Sequence, residues 1–305
     1  MPDAISCRIQ VEPGSRVDCT LKADREDVKR VRVRRVLSAF RYRAVSMFQR
    51  QKALFRNREP VVSFTFDDFP RSALEGGIIL KSYGACGTYY AAMGLMGQIS
   101  TNGELFCLED LNQLLMEGHE LGSHSFSHLS CRSAHPDAFL ADVEKGGNEV
   151  KKLTGEFVPQ HFSYPFGHYN LKVIRRINRL FASCRCSVGG INLSPIDPHL
   201  LRANNLYSTT FDIGTITHLF RETILMRGWL IFYTHDVRET PSRWGCRPNE
   251  FEKVVRLAVR MRARILTVGA ALKAWGLESA NLTFQLGLIF WFAGYFFGSA
   301  SVYVT

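Results

Sequence analysis

A chain of 305 residues with 46% hydrophobic residues is long enough for one large α/β domain with a substantial core, plus flanking segments. Eight cysteines spread over that length exclude a small disulfide-stapled scaffold. The net charge of +10 is uneven, because residues 29–58 hold eleven Lys or Arg and no Asp or Glu; such a block suits nucleic acid, an anionic membrane surface, an acidic glycan, or the solvated face of a helix.

Met1-Pro2-Asp3-Ala4 has neither a basic n-region nor an apolar h-region. No signal peptide is read there, and the default compartment is a reducing cytoplasm with free thiols. Cys7 to Leu21 alternates like a strand around a Pro13-Gly14 turn. From Asp24 to Gln51, Val31, Val36, Leu37, Phe40, Val45 and Phe48 fall roughly on one stripe of a basic amphipathic helix. Pro60 marks a boundary, so residues 1–59 form a basic N-terminal extension.

Beyond it, short apolar runs alternate with longer helical patterns. Strands are expected at Val61–Phe66, Gly87–Ala92, Glu120–Ser123, Gln160–Tyr164, Phe181–Ser187, Trp229–Thr234 and Ile265–Val268. Helices are expected at Ser72–Tyr83, Leu108–Glu117, Pro136–Leu153, Leu171–Leu180, Ile213–Met226 and Asn249–Arg264. Repeated β-α units over residues 60–275 indicate an α/β domain with a parallel sheet and covering helices, open or closed into a barrel. In a barrel, chemistry collects at the C-terminal ends of the strands. Cys86 and Cys107 sit among apolar residues and read as buried free thiols. Cys184-Arg185-Cys186 has no matching second pair. Residues 281–305 form an uncharged, apolar tail. It is long enough to cross a bilayer, which takes ~20 residues, although Gln285, Ser299 and Ser301 interrupt it and a last core or amphipathic helix competes. Membrane contact through 281–305 or 29–58 stays open. No zinc-finger or RNP-type motif accompanies the basic block, so no nucleic-acid partner is expected.

Asp67 and Asp68 end the apolar run VVSFTF. Adjacent carboxylates at a strand end repel each other and need a cationic compensator, although an Asp pair also serves as an Asx turn or helix N-cap. His124 and His128, in Gly122-Ser123-His124-Ser125-Phe126-Ser127-His128, follow a short strand. Their spacing is expected to place both imidazoles on one side of a helical turn, within reach of one metal ion. Asp68 with both gives an Asp-His-His set that leaves coordination positions open for water and substrate. Tyr164-Pro165-Phe166-Gly167 forms a turn whose backbone N–H suits a developing oxyanion, and His235 ends the strand Trp229–Thr234 with Asp236 beside it. Each feature alone has an ordinary structural explanation. Together, at the ends of four separate strands, they favour one shared active site.

In this order, Thr65-Phe66-Asp67-Asp68, HSFSH at 124–128, Tyr164-Pro165-Phe166-Gly167 and Tyr233-Thr234-His235 resemble the polysaccharide deacetylase family, or NodB-homology domain. That family includes chitin, chitooligosaccharide and peptidoglycan deacetylases. The resemblance covers roughly residues 60 to 270. It implies a distorted (β/α) barrel of the NodB-homology type and a divalent metal, usually zinc. It also implies a hydrolase of carbon-nitrogen, non-peptide bonds that removes acetyl groups from an N-acetylated, chitooligosaccharide-like glycan. Residue by residue, it implies Asp67 as general base, His235 as general acid, and Asp68, His124 and His128 as metal ligands. The Phe166 N–H would face the oxyanion, with Tyr164 beside it on the substrate side. Departures from the family pattern are visible too. Phe69 stands where the first motif usually ends in Gly, which is expected to reshape the pocket floor. Ser163 and Tyr164 replace an Arg that pairs with the base, with Arg202 the candidate substitute. No counterpart of the Asp-containing fourth motif that orients the acid His is visible. Two alternatives remain: hydrolysis of another amide, such as a peptidoglycan sugar or a cyclic ureide, or a catalytically impaired glycan- or membrane-binding protein served by segment 29–58.

Overall fold

The structure, a computed structural model, describes Tyr42, residues 59–155 and residues 157–276. The expected basic helix, apart from Tyr42, and the tail at 281–305 lie outside the described residues. Among the described residues, no helix is long and apolar enough to cross a membrane.

The main sheet contains β1 (Val61–Asp67), β2 (Thr88–Ala91), β5 (Glu120–Ser123), β6 (His161–Ser163), β7 (Ser183–Arg185), β8 (Asn204–Asn205), β9 (Trp229–Thr234) and β10 (Arg264–Ile265). A small antiparallel hairpin, β3 (Ile99–Ser100) and β4 (Gly103–Glu104), lies apart from it. The main sheet runs in the order β7-β6-β5-β2-β1-β9-β8, with β10 also on β1, and every described pair in it is parallel. Its two ends meet. The Leu201 N–H donates to the Cys184 carbonyl at 2.9 Å, and the Cys186 N–H donates to that of Leu201 at 2.9 Å. Four residues later the same segment pairs with β9, Asn205 opposite Tyr233. Residues 201–205 therefore bridge β7 and β9 and close the sheet into a distorted barrel.

Side-chain alternation explains the two faces of β1. Val62, Phe64 and Phe66 point outward into a core shared with Leu80 of α1 (Leu74–Ser82), with Leu111 and Leu114 of α2 (Leu108–Met116), and with α6 (Pro248–Arg260). The Phe251 ring of α6 lies 5.3 Å from Phe64 and 5.6 Å from Phe66. Burial of each such ring contributes about 1.5–3 kcal/mol. At Gly76 of α1 an added Cβ would lie 2.5 Å from the Phe66 ring, so this helix approaches the sheet more closely than an alanine allows.

Helices α3 (Pro136–Thr154) and α4 (Leu171–Ile177) cover β6 and β7 through Phe139, Val143, Val173 and Ile177. Helix α5 (Ile213–Met226) contributes Ile216 and Phe220 beside β9, and the Asp212 carboxylate caps its first N–H groups. Inward-facing Val61, Trp229 and Ile231 join α7 (Val268–Ala274), which plugs the barrel beneath the strand N-termini. Most expected elements appear with boundaries shifted by a few residues. The expected strand Ile265–Val268 is not one: β10 stops at Ile265, and the Thr267 hydroxyl caps the Ala270 N–H to start α7. The thiols of Cys86 and Cys107 are half-buried rather than buried, while Cys131, Cys184, Cys186 and Cys246 are buried.

Candidate metal centre and active site

Asp67 is the last residue of β1, His124 follows β5 and His235 follows β9, so all three stand at the C-terminal rim of the barrel. The chain turns sharply there. Among the described residues seven non-glycine positions have positive φ; Asp68, Phe69, Ser125, His128 and Phe166 lie at this rim, and the other two, Arg227 and Arg262, follow helices. Left-handed backbone at non-glycine residues costs of order 1–3 kcal/mol each, and it gathers where geometry serves a site. Phe69, with φ of 53°, adopts the backbone that glycine takes most easily. Its ring does not reshape the pocket floor as expected. It is fully buried and stacks on Phe106 at 5.2 Å and tilts against Tyr89 at 5.0 Å.

The Nε2 atoms of His124 and His128 lie 3.5 and 3.3 Å from Asp68 Oδ1. A tetrahedral ion with bonds of about 2.1 Å spaces its ligand atoms about 3.4 Å apart. Asp68 Oδ1 is buried without a protein hydrogen bond, a costly state unless a cation completes it. Asp68 Oδ2 accepts from the Asn102 amide at 3.1 Å. The histidines do not share a helical turn. Residues 124–130 are irregular, and left-handed Ser125 and His128 fold the two rings to 4.7 Å. The Asp142 carboxylate of α3 holds this loop by accepting from the Phe126 and Ser127 N–H groups at 3.0–3.2 Å.

His124 Nδ1 lies 2.7 Å from the Ser163 carbonyl, which can only accept, so Nδ1 carries the proton and Nε2 offers its lone pair. Burial, and next the neighbouring His128, push the His124 ring down to about 4. It is therefore neutral, as a ligand must be. Carboxylate and two imidazoles, one oxygen without a partner, and matching separations fit a divalent first-row metal.

The cation beside Asp67 is Arg185 of β7. Its Nη2 donates to Asp67 Oδ1 and, at 2.6 Å, to the Ser163 hydroxyl, which in turn donates to the same carboxylate oxygen at 3.4 Å. The guanidinium is buried, with the Tyr90 and Tyr233 rings 5.1 and 5.0 Å away. Burial alone would raise the Asp67 carboxyl, but the Arg185 charge, followed by His124 and His235, holds it below the ordinary carboxylate range. Arg202 is not this partner: it donates to the Gly189 carbonyl at 2.6 and 3.0 Å and lies 4.6 Å over the Tyr42 ring. Arg185 stands between two cysteines, in Cys184-Arg185-Cys186. The available signal was an arginine inside an otherwise apolar strand, a placement that demands a buried anion.

His235 Nε2 lies 3.7 Å from Asp68 Oδ2. Phe166 has φ of 59° and is 60% exposed, its ring sits 4.5 Å from His128, and its N–H donates to no protein acceptor among the described residues. Tyr164 is not at the substrate side: its ring is buried against Phe162 and its hydroxyl donates to the His199 carbonyl at 3.3 Å.

Residues 56–182 match the family model described as polysaccharide deacetylase. Over 122 residues the chain is 28% identical to a peptidoglycan-N-acetylglucosamine deacetylase of Bacillus cereus, a match covering 39% of this chain and 52% of that protein, so the chain spans about half the length of this curated relative. Among solved structures, the peptidoglycan deacetylase PdaC from Bacillus subtilis aligns with a TM-score of 0.47 at 16% identity, covering 75% of this chain and 96% of the other. PdaA from the same organism, a family 4 carbohydrate esterase, aligns at 0.47 and 14% identity over 71% and 82% of the two chains.

Proposed function

Residues 56–182 belong to the polysaccharide deacetylase family, and from that premise we propose that this chain is a metal-dependent N-deacetylase of an amino-sugar polysaccharide. The observation that carries the reading is the convergence of Asp68, His124 and His128 around one unpartnered oxygen, with Asp67 and His235 beside it. Asp68 Oδ1, His124 Nε2 and His128 Nε2 would hold a divalent ion, for which zinc is the candidate. The bound ion supplies Lewis acidity, polarising an acyl oxygen and easing the ionisation of water.

The chain's own groups do the rest. Arg185 and Ser163 both engage Asp67 Oδ1, which leaves Oδ2 to take a proton from the attacking water. The water oxygen bonds to the acetamide carbonyl carbon, and the free Phe166 N–H donates to the carbonyl oxygen as charge builds on it. Doubly protonated His235 gives its Nε2 proton to the amide nitrogen as the C–N bond breaks. The proton held by Asp67 then returns to His235, and the acetic acid gives its proton to the amine, so acetate and an ammonium sugar leave and both residues are reset. Because the Asp67 carboxyl is held below its usual range, it is ionised and ready as a base at neutral pH.

The substrate is a glycan bearing N-acetylglucosamine units. A peptidoglycan strand and a chitooligosaccharide both present that group, and the test separates them. Metal-loaded protein is offered each polymer and free acetate is measured. Release from either supports the reading, and the faster polymer names the substrate. Absence of release from both, with the metal bound, would sink it.

A further inference from the structure

His235 is followed by a loop, residues 236–246, that turns back over it. We propose that this loop is the positioning device of the acid, with Asp236 as its anchor and the Trp244 carbonyl as the acceptor that holds the ring. The proposal rests on the reading of His235 as proton donor.

The Trp244 carbonyl gathers three donors from the end of β9. The His235 backbone N–H lies at 3.1 Å, His235 Nδ1 at 3.1 Å and the Thr234 hydroxyl at 3.4 Å. A carbonyl only accepts, so Nδ1 carries a proton whatever the charge of the ring. Nε2, on the far side, is thereby aimed at the cluster around Asp68. The acceptor is uncharged, so it contributes direction rather than attraction.

A carbonyl on a free loop would orient nothing, and this one is fixed from below. Asp236 is fully buried. Its Oδ2 accepts from the Ser242 N–H at 2.7 Å and from Arg238 Nε at 2.9 Å, and its Oδ1 accepts from the Ser242 hydroxyl. That hydroxyl oxygen accepts from the Trp244 N–H at 3.2 Å, so the link runs from carboxylate to serine to the tryptophan backbone. The chain beyond Trp244 is pressed onto the same carboxylate: a Cβ at Gly245 would lie 2.3 Å from Asp236 Oδ1 and 2.5 Å from its carbonyl oxygen. Across the loop, the Asn102 side-chain oxygen lies 3.2 Å from the Ser242 hydroxyl while its amide donates to Asp68 Oδ2 at 3.1 Å. Acid and metal-ligand carboxylate thus share one frame.

Two measurements on the full chain test this. Long-range proton–nitrogen NMR of histidine-labelled protein, at a pH where the ring is neutral, should find His235 protonated at Nδ1 in the wild type. Asp236→Asn and the milder Ser242→Ala should both give a mixture of tautomers. A wild-type ring protonated at Nε2, or variants with an unchanged tautomer, overturns the proposal, and neither result depends on any substrate. The second measurement compares leaving groups. Both variants should lose about 10–100-fold in kcat on the N-acetyl glycan with little change in KM. Hydrolysis of 4-nitrophenyl acetate, whose phenolate leaves without a proton, should stay near the wild-type rate. Equal losses on both substrates would mean simple disruption of the fold and would reject the positioning role. If wild-type protein releases no acetate from any glycan, the proposed function fails while the tautomer still decides the loop.

Discussion

Each end of the barrel places a carboxylate beside histidine at nearly the same distance. At the rim, His124 Nε2 lies 3.5 Å from Asp68; at the base, His161 Nε2 lies 3.6 Å from Glu120. The two carboxylate side chains are also similarly exposed, 15% and 18%. They differ in who satisfies the oxygens. Glu120 accepts from the Thr88 hydroxyl at 2.7 Å, the Gly269 N–H at 2.9 Å and the Thr267 hydroxyl at 3.3 Å, and His161 Nδ1 pairs with the Ser183 hydroxyl at 3.0 Å. Thr88, Glu120, His161 and Ser183 are the first residues of four adjacent strands, and their backbones are relaxed. Asp68 leaves Oδ1 unpartnered in a stretch of left-handed backbone. Acid and imidazole in proximity therefore do not define a metal site. An unsatisfied oxygen held by strained chain does.

Substitutions at the two ends should separate them. The largest contrast is in turnover: Asp67→Asn should lower acetate release by about 10²–10⁴-fold with metal content unchanged, whereas Glu120→Gln should leave the rate near wild type. Next comes Arg185→Met, which leaves Asp67 buried without its partner and should cost about 3–5 kcal/mol in denaturant unfolding at neutral pH. The sign with pH follows from the depressed Asp67 carboxyl. The pair's stabilisation is fully present above the unfolded pKa of ~3.9 and is lost as pH falls through the lower folded value. The deficit of the variant should accordingly shrink on acidification. A deficit that grows instead would contradict the pairing.

Third, zinc at 100 times its dissociation constant should stabilise wild type and Glu120→Gln by about 2.7 kcal/mol, and Asp68→Ala not at all. Removal of the metal by a chelator should abolish activity until a divalent ion is returned. At the base, Gly269→Ala would bring a Cβ within 2.4 Å of Glu120 Oε1 and 2.6 Å of His161 Nε2. It should cost about 1–3 kcal/mol in thermal unfolding while sparing kcat. The smallest effect is Thr267→Ala, which removes the cap of α7 and should cost about 1 kcal/mol.

The strand-helix alternation was readable because a two-sided buried strand such as VVSFTF and an amphipathic helix such as 248–260 carry their periods locally. Asp68, His124 and His128 could be grouped because Asp68 and His124 each follow a readable strand and His128 stands four residues beyond His124. What escaped were contacts across the barrel. Arg185 reaches Asp67 over a separation of 118 residues, and no local pattern announces such a pairing. Arg202 looked equivalent on charge alone, but it precedes β8 and turns toward Gly189 and Tyr42. The helical turn expected for the two histidines failed because spacing along a chain does not set φ, and two left-handed residues brought the rings together instead. Tyr164 stands next to Pro165-Phe166 in the chain, but its side chain follows the strand period into the core.

Closure through residues 201–205 has a practical consequence for dissecting this protein. A fragment cut after Ala182 would keep β1, β2, β5 and β6 but lose Arg185, His235 and the segment that seals the sheet. β1 and β6 would then become bare edges, with open backbone donors and acceptors beside valine- and phenylalanine-rich surface. Such edges recruit other chains, so the fragment should aggregate even though it contains all three candidate metal ligands.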